Sequence, residues 1–131
     1  MKFIFVVLLS ILSSSFTFSH AGNIDAANTW LEKVDSGQYK ESWQDTAPYF
    51  QQQITKEKWH TTLTAVRTPL NDVISRKLID NSAHTSLPGA PDGNYKVLIF
   101  STSFTNKKQA IETLTLQKTA NGWQTIGYFI K

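Results

Sequence analysis

The sequence predicts an α+β domain: N-terminal helices packed on one face of a curved, four-stranded antiparallel sheet. Three observations predict it. Apolar residues recur at helical spacing up to Leu70 and at strand spacing after it. Asn121-Gly122 sits between two β-rich runs, the strongest short hairpin signal. Helices that precede an unbroken run of strands are the α+β order of elements. The chain has 131 residues, 40% of them hydrophobic and 12% aromatic, which suits one domain and is too aromatic for a disordered chain.

The first stretch is read apart from the fold. Lys2 precedes the apolar run Phe3-Ile4-Phe5-Val6-Val7-Leu8-Leu9, and Ser19-His20-Ala21 places small residues at the third and first positions before a cut. Residues 1–21 therefore read as a signal peptide cleaved after Ala21, leaving one α+β domain over residues 22–131. The apolar run is about half of the roughly 20 residues that a membrane-spanning helix needs, so a retained anchor is the weaker reading and no span remains after cleavage. With no Cys in the chain, a lipid anchor on cysteine, disulfides and thiol chemistry are excluded.

Residues 24–36 read as the first helix, with Asp25 at its cap, Ala27, Trp30, Leu31 and Val34 on one face, and Gly37 as its stop. A second helix is expected over 38–52, with Tyr39, Trp43, Ala47 and Phe50 nearly on one face and Pro48 kinking or splitting it. Thr55 caps a third, in which Trp59, Leu63 and Val66 recur and Arg67 occupies the last turn before Pro69. Strands follow at 73–79, 95–104, 110–116 and 123–130, with turns at 105–108 and at Asn121-Gly122. Residues 83–94, rich in Pro and Gly, read as an ordered loop. Trp30, Trp59 and Phe100 are expected to anchor the core, since each lies on an apolar stripe or run.

Particular residues point to a family. Trp30-Leu31, Asp35-Ser36-Gly37-Gln38-Tyr39, Ser42-Trp43, Trp59, Val66-Arg67-Thr68-Pro69-Leu70 and Arg76 come first. Leu87-Pro88-Gly89-Ala90-Pro91-Asp92-Gly93-Asn94-Tyr95, Ser103-Phe104, Glu112-Thr113, Gly122-Trp123 and Gly127-Tyr128 follow. Their order and spacing resemble the bacterial domain-of-unknown-function family 4019 across nearly the whole mature chain. Asn71 departs from it, because a Gly is usual after that Pro-Leu. The resemblance implies a small exported domain of Gram-negative envelopes and carries over no catalytic residue. Its order of elements is similar to cystatin-like and nuclear-transport-factor-2-like cones, an analogy of fold that does not license function.

The search for chemistry finds little. Besides the leader's His20 there are two histidines, His60 and His84, without the three or four ligands at regular spacing that a zinc site needs. No Gly-x-Ser-x-Gly elbow occurs. The loop from Gly89 to Gly93 has two prolines that remove backbone donors, and no Gly-Lys-Ser/Thr follows, so it does not read as a phosphate cradle. Gln124-Thr125-Ile126-Gly127 lacks the spacing of a cystatin wedge. The tryptophans read as core anchors before pocket walls. No cofactor and no metal are expected. The net charge of +3 is scattered rather than gathered into a stripe, so no nucleic-acid partner is expected either.

One constellation stands out. Arg76 alternates with Ile74 and Leu78, and Glu112 shares a side with Ala110, Leu114 and Leu116. A charge on an apolar face is costly unless paired, so Arg76 and Glu112 are expected to meet across the sheet or through Arg67; the alternative is that one or both face solvent. These three are the candidate pocket or buried polar group, with a structural role favoured over a catalytic one. The functional expectation is a non-enzymatic periplasmic or secreted module that binds another envelope or extracellular protein, neutralisation of an envelope-targeted toxin being one version. The alternative is a small-ligand binder or enzyme with a pocket between helices and sheet. An open apolar cavity holding Glu112 would favour the alternative, and a filled core the first reading.

Overall fold

The computed structural model describes residues 22–131; the expected signal peptide lies outside the described residues. Helices α1 (Asn23–Asp35), α2 (Tyr39–Gln44), α3 (Pro48–Gln53) and α4 (Lys56–Arg67) lead through a 3-10 turn, Thr68–Leu70, into four strands. These are β1 (Val73–His84), β2 (Tyr95–Phe104), β3 (Lys107–Thr119) and β4 (Gly122–Ile130). They form one antiparallel sheet in the order β1-β2-β3-β4. The chain is α+β, with the helices against one face of the sheet.

Local chemistry explains most boundaries. α1 is capped at its start by the backbone of Gly22, with Asp25 inside the first turn and not at the cap. It ends in two reverse bonds, Gly37 N–H to the Val34 carbonyl (3.1 Å) and Gln38 N–H to the Lys33 carbonyl (2.8 Å). Gly37 takes φ 78° there, the left-handed conformation that this helix ending requires. The expected second helix is two short ones, because Pro48 starts α3 and cannot continue α2. Thr55 caps α4 by accepting from the Lys58 N–H at 3.2 Å.

The strands depart from expectation chiefly at β1, which runs on to His84 where a loop was expected. The hairpin between β2 and β3 turns on Thr105-Asn106 alone, since Lys107 and Lys108 already belong to β3. Two bulges interrupt β1. Val73 pairs with Phe104 and Ser75 with Ser103, then Leu78 with Phe100 and Asp80 with Ile99, so Ile74 and Ile79 are each the extra residue. Ile74 is 64% exposed and does not share the side of Arg76: the bulge, which leaves no periodic trace in the sequence, breaks the alternation there.

Ala27, Trp30, Leu31 and Val34 of α1 and Trp59 and Leu63 of α4 pack on Leu98 and Phe100 of β2 and Leu114 and Leu116 of β3. Trp30, Trp59 and Phe100 are all buried in this core. Both indoles are satisfied at buried Ser42: Trp30 donates to its carbonyl (2.9 Å) and Trp59 to its hydroxyl (3.0 Å). Sheet and helices thus meet through aromatic rings whose polar edges are also partnered.

Candidate functional site

At the end of the core where α1 and α4 both terminate, the packing turns ionic. Arg76 on β1 and Glu112 on β3 lie on the helix-facing side of the sheet with β2 between them. Their register partners on β2 are Thr102 and Phe100 respectively, so long side chains must reach past that strand. Arg76 donates from Nε to Glu112 Oε1 (2.7 Å) and from Nη2 to Oε2 (3.1 Å), a two-pronged pair. Thr102 donates to Oε1 (2.5 Å) and the Tyr128 hydroxyl to Oε2. Each Glu112 oxygen thus receives two donors, and the residue is 0% exposed.

The helices supply the rest. Asp35, the last residue of α1, accepts from Arg76 Nη1 (2.8 Å) and Nη2 (3.0 Å) and from Arg67 Nη2 (2.9 Å). Arg67, 4% exposed in the last turn of α4, also points Nη1 at the Tyr128 hydroxyl (3.4 Å) and holds its guanidinium 4.9 Å from the Phe104 ring centre. Arg67 does not bridge Arg76 to Glu112. It joins the network through Asp35 and Tyr128. Two guanidiniums and two carboxylates balance in charge, and the cluster ties α1 and α4 to β1, β2, β3 and β4.

The electrostatics follow from that geometry. Burial pushes the Asp35 carboxyl up, but the hydrogen bonds and charges of Arg76 and then Arg67 outweigh it and hold the group below the ordinary carboxylate range. Burial pulls Arg76 down, yet its bonds to Asp35 and Glu112 leave it held more firmly protonated than an ordinary arginine. Tyr128 is pushed well above the usual phenol, first by burial and then by the Glu112 charge beside it. Tyr128 is therefore a hydrogen-bond donor at neutral pH. Asp35 and Glu112 offer their lone pairs to donors already in place.

Sequence reasoning named Arg67, Arg76 and Glu112 and missed Asp35, Thr102 and Tyr128 as members. Two signals existed. Thr102 alternates with Phe100 and Phe104, which marks it as a polar residue on the covered face. Asp35 sits in the last turn of a helix, the wrong end for an anion unless cations stand nearby.

Elsewhere, His84 belongs to the end of β1, where its ring lies 2.9 Å from the Ser82 hydroxyl. His60 Nδ1 is buried without a partner. Among the described residues no three His, Cys, Asp or Glu side chains gather as a metal site would. Two clefts open at the other end of the sheet, sharing Lys118 and Trp123. One of about 530 Å³ lies between α1 and the β3–β4 hairpin, lined by Trp30, Asp45, Trp123, Gln124 and Thr125 among others. The other, about 450 Å³, is walled by His84, Tyr95 and Lys96. Neither reaches Glu112. No described helix is long and apolar enough to cross a membrane.

Fold and site together define a class: an α+β domain, helices on a four-stranded antiparallel meander, with a charge-balanced ionic cluster locking the helix ends to the sheet. The profile of the family described as "Protein of unknown function (DUF4019)" matches residues 26–128, and the chain belongs to that family. No curated protein matches the chain.

Proposed function

We propose that the chain is an exported, non-enzymatic module that binds another envelope or extracellular protein through its surface. One concrete form of that role is neutralisation of a toxin directed at the bacterial envelope. The observation that carries the reading is the state of Glu112. It is the strand-borne acid best placed for acid–base work, yet it is sealed from solvent and each of its oxygens already takes two internal donors. A general acid or base needs hydrogen-bond reach to a substrate, and this one is committed to its neighbours. Export is supported by the leader of residues 1–21.

The test is photo-cross-linking in living cells, with the full chain carrying a photoreactive residue at exposed Ile74, Ile79 or Ile111. A defined adduct with one envelope or extracellular protein from one of these positions is expected. Folded, exported protein that yields no such adduct from any of them would overturn the reading.

A second reading rests on its own observation. The cleft of about 530 Å³ between α1 and the β3–β4 hairpin is sided by two indoles, Trp30 and Trp123, and aromatic walls with a few polar groups suit a small ligand. A small ligand seated between Trp30 and Trp123 would make the chain a small-ligand binder. Saturable quenching of tryptophan emission by a low-mass periplasmic extract, abolished in Trp123→Ala, would favour this reading over the first.

A further inference from the structure

The two edges of the sheet are built differently. β1 is guarded: bulges eject Ile74 and Ile79, and Arg76, Lys77 and Asp80 place charge along it. β4 has no charged residue and no proline from Gly122 to Ile130. Its hydrogen-bond phase can be read from its end. Ile111 and Lys131 exchange both backbone bonds (3.0 and 2.9 Å), and bonded residues alternate in an antiparallel pair. Phe129 opposite Thr113 and Gly127 opposite Thr115 therefore also turn inward. Tyr128 and Ile130 turn their N–H and C=O groups out of the sheet, where no described residue takes them up. Beyond the β4 bulge at Ile126, the outward carbonyl of Thr125 accepts from the Ala47 N–H (2.9 Å), so the α2–α3 connection closes the edge there. The open segment runs from Gly127 onward.

We propose that this open edge pairs with the same edge of a second copy of the chain, antiparallel, with Phe129 on the two-fold axis. The segment is its own complement. With Phe129 facing Phe129, Tyr128 of each copy falls opposite Ile130 of the other, and the outward groups of both residues are met in reciprocal pairs. Phe129 then occupies a non-hydrogen-bonded position, where facing Cα atoms come within about 4.5 Å and side chains touch. It is 58% exposed in the single chain, beside exposed Ile111 on the same uncovered face. The charge pattern agrees: no like charges are forced together at the axis, and Lys131 falls opposite Gly127, which has no side chain in its way. A two-fold axis also closes the assembly, because each remaining outer edge is a bulged, charged β1.

The absence of native cysteine makes the test direct. In the exported chain, Phe129→Cys should form a disulfide-linked dimer at least about tenfold faster than Ile79→Cys, because only the former brings two Cβ atoms near bridging distance. Sedimentation velocity of the unmodified chain should show a concentration-dependent dimer, and Phe129→Lys should abolish it while leaving the melting temperature unchanged at concentrations where both chains are monomeric. A chain that stays monomeric to millimolar concentration overturns the proposal. So does equal cross-linking at Ile79→Cys, or a dimer that survives Phe129→Lys.

Discussion

Replacing Glu112 by glutamine keeps the shape of the side chain and removes one charge and one acceptor. Each carboxylate oxygen takes one Arg76 donor and one hydroxyl: Nε and Thr102 at Oε1, Nη2 and Tyr128 at Oε2. Whichever way the amide is turned, its NH2 group faces an arginine N–H, donor against donor. The hydroxyl on that side can rotate and accept, so one charge-assisted bond is lost outright and the other weakened to a neutral acceptor. Breaking a buried pair by removing one partner costs about 3–5 kcal/mol, and Arg76 retains Asp35, so the lower end applies: about 3 kcal/mol. At about 4 °C per kcal/mol for a domain this size, the melting temperature should fall by about 12 °C. Urea unfolding followed by circular dichroism, with calorimetry alongside, measures both quantities. A loss below about 1 kcal/mol would refute the argument that the cluster locks the fold. Partner binding by the folded Glu112→Gln protein should be intact; lost binding at unchanged stability would make the cluster a functional site instead.

Three further outcomes are expected. Asp35 has its folded pKa depressed, so its contribution is fully present above its unfolded value of about 3.9 and is lost as pH falls through the lower folded value. Acid titration of stability should show that loss, and Asp35→Asn should flatten it. Asn71 holds φ 63° and ψ −143°, a conformation close to one that essentially only glycine adopts. Asn71→Gly should therefore stabilise the protein by about 1 kcal/mol in denaturant unfolding, the relief of strain exceeding the entropic cost of a glycine. Intact mass of the exported protein should correspond to a chain starting at Gly22; a retained Met1 would refute the cleavage assignment.

What the sequence disclosed of this site depended on whether periodicity survived. Ala110, Glu112, Leu114 and Leu116 alternate without interruption along β3, and all four are buried, so parity alone placed the acid on the covered face. The same reasoning on β1 held from Arg76 to Leu78 and failed at Ile74, because one inserted residue shifts the phase by one and sends that side chain outward. Asp35 was out of reach of parity altogether. Its partners lie 32 and 41 positions away on other elements, and only the packing of α1 against the sheet decides which cations it meets. The pairwise register of a meander is likewise set by bulges and turns that leave weak local traces, which is why the elements were more legible than the contacts between them.

The helix ends explain why this corner is ionic. The carbonyl ends of α1 and α4 both come near it, and each carries roughly half a negative charge. Arg67 in the last turn of α4 is therefore well placed, while Asp35 in the last turn of α1 is not. An aspartate there adds negative charge to a negative end, and α1 would lose by it if the residue stood alone. It does not stand alone: two guanidiniums reach it, and its carboxyl is held below the ordinary range despite burial. The arginines in turn need both acids, since Arg76 spans Asp35 and Glu112 and neutralises neither completely. Removing any one charge leaves an odd charge in a cluster whose Glu112 and Arg67 are closed to water, although Asp35 keeps part of its side chain exposed. Replacing both Arg76 and Glu112 by apolar residues of similar size, Arg76→Met with Glu112→Leu, leaves Asp35 with Arg67 as a balanced pair. The double variant should therefore lose less stability than Glu112→Gln alone. A double variant less stable than the single one would show that the cluster holds the fold by its hydrogen bonds rather than by its balance of charge.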